Sequence, residues 1–85
     1  MKSALLVDDS KTMLMSLSSI LGKAGHQVDT AGDGDEALRK VQTGARPSVI
    51  ITDLNMPKMD GITFIREARK AGCRFTPILM LTTES

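Results

Sequence analysis

Tryptophan and tyrosine are absent from the chain, and phenylalanine occurs only at Phe64 and Phe75. Any core must therefore be aliphatic, with six methionines available to fill irregular gaps. A single cysteine, Cys73, excludes an internal disulfide and so a disulfide-stapled secreted scaffold. No apolar run approaches the ~20 residues that a membrane-spanning helix needs. Met1-Lys2-Ser3 leads straight into a short apolar run, unlike a signal peptide. These absences predict a cytoplasmic protein. Eleven Lys and Arg stand against ten Asp and Glu, a formal net charge of +1. The basic residues are scattered, not gathered into the stripe of a nucleic-acid reader, so neither nucleic acid nor membrane is expected as a partner. The lone histidine, His26, cannot make a metal site by itself. With 85 residues the chain is one small domain, residues 1–85.

What is present is an alternation. Ala4-Leu5-Leu6-Val7, Val49-Ile50-Ile51 and Pro77-Ile78-Leu79-Met80-Leu81 are short continuous apolar runs, the pattern of strands buried on both faces. His26 to Ala31 is more polar and reads as an edge strand. Met13, Leu14, Leu17, Ile20 and Leu21 recur with helical spacing, ended by Gly22 and Gly25. A short helix over 36–43 places Ala37, Leu38 and Val41 on one side. A third helix over 62–71 spaces Ile62, Ile65 and Ala68 for burial, and Gly72 stops it. The order βαβαβαβ predicts an α/β protein with an open parallel sheet and helices on both faces.

In such sheets, ligands bind beyond the carboxyl ends of the strands, near the point where strand order reverses. Strand one ends in Asp8 and Asp9, strand three in Asp53, and strand four in Thr82. Three converging carboxylates repel one another unless a cation neutralises them. Mg²⁺, a hard cation that prefers oxygen ligands and accompanies phosphate groups, suits that role. A carboxylate can also be a nucleophile that forms an aspartyl phosphate. The residues alone therefore point to a Mg²⁺-assisted phosphoryl site. Asp29, Asp33, Asp35 and Asp60 lack this placement and read as surface residues. Gly32-Asp33-Gly34-Asp35-Glu36-Ala37 fits the permissive dinucleotide fingerprint G-x-G-x-x-A. Its three acidic side chains would, however, confront a pyrophosphate at the helix terminus that should attract it.

Val7-Asp8-Asp9-Ser10, Asp53-Leu54-Asn55-Met56-Pro57-Lys58-Met59-Asp60-Gly61 and Leu81-Thr82-Thr83-Glu84 resemble the signature stretches of two-component response-regulator receiver domains, and of CheY-like chemotaxis regulators in particular. The resemblance implies a flavodoxin-like fold and a signalling role without enzymatic turnover. It implies that Asp53 accepts a phosphoryl group from the phosphohistidine of a sensor histidine kinase or phosphotransfer protein. It implies that Asp9 binds Mg²⁺ directly, Asp8 through water, and Asn55 through its backbone carbonyl. Thr82 would be the switch hydroxyl, Pro57 and Gly61 would shape the loop after the acceptor, and Glu84 would tune phosphoryl lifetime. The downstream target is not specified.

The family pattern continues with a helix, a fifth strand carrying a phosphoryl-pairing lysine at its end, and a last helix. Residues 1–85 contain none of these, so the expectation is a receiver truncated after its fourth strand. Loss of such a charge-assisted contact costs on the order of 2–4 kcal/mol in the transition state, which predicts slow phosphotransfer. Strand four would be an unpaired apolar edge, predicting a homo-oligomer through it. Two alternatives use the same residues: a Mg²⁺-dependent aspartyl phosphatase, which would need a further acid/base and a capped pocket, and a non-phosphorylated interaction or assembly module.

Overall fold

The computed structural model describes residues 2–53 and 59–81. Strands β1 (Ser3–Val7), β2 (Gln27–Ala31), β3 (Val49–Asp53) and β4 (Ile78–Leu81) alternate with helices α1 (Lys11–Lys23), α2 (Gly34–Gln42) and α3 (Gly61–Ala71). The strands are parallel and form one sheet in the order β2-β1-β3-β4. The chain runs outward from β1 to β2 and then crosses back to β3, so strand order reverses between β1 and β3. This is the flavodoxin-like doubly wound arrangement that the family resemblance implies.

Each helix begins on a side chain that satisfies an orphan N–H. Ser10 Oγ accepts from Met13 N (3.2 Å), Asp33 Oδ1 from Glu36 N (2.8 Å), and Asp60 Oδ1 from Thr63 N (2.7 Å). Glu36 Oε1 in turn accepts from Gly32 N (3.0 Å), a reciprocal closure of the α2 terminus. Asp33 and Asp60 are thus helix caps as well as surface residues. Their caps start α2 and α3 earlier than apolar periodicity suggests. At the other end of α3, Gly72 has φ 133, a conformation that L side chains rarely adopt and that favours glycine, and the Arg46 guanidinium lies where a Cβ would stand.

Leu5, Val7, Ile50, Ala31, Ala37, Val41, Phe64, Ala68 and Cys73 form one buried cluster beneath α2 and α3. Strand alternation turns Ala4 and Leu6 to the opposite face, where they are also buried. There α1 packs along β1 and β2 without a fully buried side chain of its own.

Two expectations about the core need correction. Ile62 is 50% exposed, because the cap at Asp60 turns Gly61, Phe64 and Ala68 inward and leaves Ile62 about 100° around the helix. Ile20, at the margin of the α1 stripe, also faces solvent. Cys73 is a core residue held by its N–H on Ala68 O (3.0 Å). The turn it opens is organised by Arg69, whose Nη1 donates to the carbonyls of Cys73, Arg74 and Thr76. Among the described residues, no helix is long and apolar enough to cross a membrane.

Candidate functional site

Register decides what meets at the carboxyl end of the sheet. Val7 pairs with Thr52, so the residue after each, Asp8 and Asp53, stand side by side. Asp8 is anchored by its own backbone, whose N–H donates to Ala31 O (3.1 Å) at the end of β2. Its carboxylate oxygen Oδ1 accepts from Ser10 N (2.9 Å), two residues on. Asp9 follows and is exposed. Carboxylate oxygens of Asp8, Asp9 and Asp53 all lie within 4.8 Å of one another, with Asp8 and Asp53 only 4% and 5% exposed.

Burial raises the Asp8 pKa above its ordinary value, and the charges of Asp53 and Asp9 push it the same way. The Ser10 N–H opposes both but does not cancel them. Acidic side chains held this close and this dry are poorly stable as neighbours unless a cation is among them. Their chemistry fits Mg²⁺, a hard ion that takes oxygen ligands at ~2.0–2.1 Å in octahedral geometry. One exposed carboxylate, Asp9, leaves the group open to solvent and to an incoming substrate.

Asp8, Asp9 and Asp53 are therefore brought together as the strand-end reading anticipates. Gly61 is buried and is the first residue of α3. Asn55, Pro57, Thr82 and Glu84 lie outside the described residues. Lys70 sits on α3 with its Nζ 3.7 Å from Glu67. Sequence reasoning missed the Ser10 bond to the Asp8 carboxylate. The signal was there, in a serine directly after two acids at the start of a helix.

The sequence profile of the response regulator receiver domain matches residues 4–85. This chain belongs to the response regulator receiver family. It is 41% identical over 83 residues to the alkaline phosphatase synthesis transcriptional regulatory protein PhoP of Bacillus subtilis, covering 98% of this chain and 34% of that protein. The chemotaxis response regulator CheY4 of Vibrio cholerae superposes on the whole chain with a TM-score of 0.92 and 50% identity, over 71% of its own chain. The response regulator TrrA of Thermotoga maritima, solved in complex with Mg²⁺-BeF, superposes with a TM-score of 0.89 at 35% identity, covering all of this chain and 72% of that one. The chain thus spans about a third of the length of PhoP. As a CheY-like receiver it is a module of two-component signalling, a class whose members are generally not enzymes in their own right.

Proposed function

We propose that Asp53 accepts a phosphoryl group from the phosphohistidine of a sensor histidine kinase or phosphotransfer protein, in the cytoplasm, with Mg²⁺ bound beside it. The observation that carries this reading is the meeting of three carboxylates at the ends of β1 and β3 in a receiver-family chain. Asp53 is assigned the acceptor by its place at the head of the Asp53-to-Gly61 stretch that resembles the family signature, and it ends β3, which pairs with β1 and β4. An oxygen of that carboxylate attacks phosphorus, the new P–O bond forms as the P–N bond breaks, and the imidazole leaves with the electron pair. Asp8 and Asp9 would hold the cation together with Asp53 and the backbone carbonyl of Asn55. Bound Mg²⁺ supplies positive charge that offsets the phosphoryl oxygens and the crowded carboxylates.

Thr82 is assigned the hydroxyl that moves to the phosphoryl group, Glu84 the tuning of its lifetime, and Pro57 and Gly61 the shaping of the intervening loop. Output passes to a partner by conformational change. A second copy of the chain is the proposed occupant of the outer edge of β4, whose Leu79 and Met80 are exposed.

Beryllofluoride with Mg²⁺ mimics the acyl phosphate and tests the site. Amide shifts should appear at Asp8, Asp9 and Asp53 and vanish in Asp53→Asn. Shifts confined to distant loops would overturn the assignment.

A further inference from the structure

Resting on the receiver reading above, we infer that the β2–α2 turn, Gly32 to Gly34, is a positioning element for the acidic site, acting through Gly34 against Met59. The turn carries the G-x-G-x-x-A pattern that suggests a nucleotide loop in sequence, and its geometry gives those residues another purpose. On one side the turn is joined to the site directly, since Ala31, immediately before it, accepts the Asp8 N–H. Within it, the Asp33 and Glu36 bonds lock the entry to α2, so the turn is a rigid object and not a slack connection.

On its other side the turn meets Met59. Gly34 is buried, and a Cβ built on it would fall 2.9 Å from Met59 Cβ, 3.2 Å from Cγ and 3.2 Å from Sδ. No side chain can be added there unless Met59 moves, and the nearest atom is at the root of that side chain, where rotamer change gives little relief. Met59 in turn packs against the main core cluster. The next residue, Asp60, caps α3 through Thr63 N. Met59 is therefore pinned between the core, the α3 cap and the bare backbone of Gly34. It stands six positions after Asp53 in sequence, so its seat fixes where the chain returns after leaving the acceptor. Ala31, just before the turn, holds the Asp8 backbone, and Gly34, at its end, seats Met59, so one short stretch of chain bears on both.

Gly34→Ala should displace Met59 while leaving the three carboxylates chemically intact. Small misplacements of a reacting or ligating group weaken a site steeply, so Mg²⁺ affinity and acyl-phosphate formation at Asp53 should each fall about tenfold. Met59→Ala, which empties the seat without touching α2, should weaken Mg²⁺ binding in the same direction. The double variant Gly34→Ala with Met59→Gly, which also removes the Cβ that the new methyl would meet at 2.9 Å, should regain at least about threefold over Gly34→Ala. Gly22→Ala, whose Cβ would meet nothing within 4 Å, is the control and should bind Mg²⁺ as the unaltered chain does.

Mg²⁺ titration followed by the Asp8, Asp9 and Asp53 amides reads all four variants, with circular dichroism reporting that each is folded. If Gly34→Ala does not fold, the Met59→Ala titration alone decides. Unaltered affinity in whichever single variant is folded, or a double variant no better than Gly34→Ala, overturns the positioning role while leaving the receiver reading intact. An unaltered chain that shows no Mg²⁺-dependent shift at these amides overturns the receiver reading, and the positioning role with it.

Discussion

Asp8 and Asp53 lie side by side at the carboxyl end of the sheet because Val7 and Thr52, the residues before them, are paired in register between β1 and β3. Both are nearly buried, and Asp9 completes the group from the exposed side. Two carboxylates in that position oppose folding when ionised without a cation, and the opposition is measurable.

Asp8 titrates above its ordinary value, chiefly through burial. A carboxyl raised on folding contributes stability that is fully present below its unfolded pKa, near 3.8. That contribution is lost as pH rises through the folded value. In chelator, at pH above the folded value, Asp8→Asn, which keeps the oxygen that Ser10 N–H requires, should melt several degrees above the unaltered chain. The gap should close as pH falls through the carboxylate range. Millimolar Mg²⁺ should reverse the order, since it stabilises only the chain that binds it. Thermal melts across pH, with and without Mg²⁺, check all three statements.

Asp60 behaves oppositely. The Thr63 backbone N–H holds its carboxyl below the ordinary value. Its contribution is therefore present above the unfolded pKa and lost as pH falls through the folded one. Asp60→Ala should lower the melting midpoint by about 4 °C at neutral pH. The difference should shrink in strong acid, where the unaltered cap is protonated too.

Phe64 is the largest fully buried side chain and joins α3 to the sheet. Truncation to alanine should cost about 3–5 kcal/mol. In a domain this small that is much of the total stability. Ile62→Ala, one residue pair away on the exposed side of α3, should cost under about 1 kcal/mol. Urea denaturation distinguishes the two, and equal losses would contradict the helix orientation described above.

The fold was legible in the sequence because β1, β3 and β4 are apolar runs set between helical patterns, and because a glycine or proline punctuates every connection but that from β1 to α1. The acidic site was legible because Asp8 and Asp9 come straight after the apolar β1 and Asp53 closes the apolar β3. The orientation of α3 was not. Ile62 and Ile65 advertise an apolar face by side-chain type, but the cap at Asp60 sets the phase of the helix and gives the buried face to Gly61, Phe64 and Ala68. The burial of Cys73 and the steric role of Gly34 were not legible either, since they depend on Ala68 and Met59, contacts that no local pattern encodes.

The β4 proposal is testable by concentration. Leu79 is 56% exposed and Met80 46%, and strand alternation sends them to opposite faces of the sheet. Size exclusion with light scattering should show a species larger than 9.2 kDa whose unfolding midpoint rises with protein concentration. Leu79→Lys with Met80→Glu should return it to a monomer. A monodisperse monomer with a concentration-independent midpoint would remove the second copy as the partner of this edge.

Phosphoryl transfer to one aspartate is the central claim, and intact mass spectrometry with peptide mapping tests it most directly. Incubation with Mg²⁺ and a small acyl-phosphate donor should add a single, hydroxylamine-labile phosphoryl group on the peptide containing Asp53. The addition should be absent without Mg²⁺ and absent in Asp53→Asn. A phosphoryl group on Asp8 or Asp9, or incorporation that survives Asp53→Asn, would contradict it.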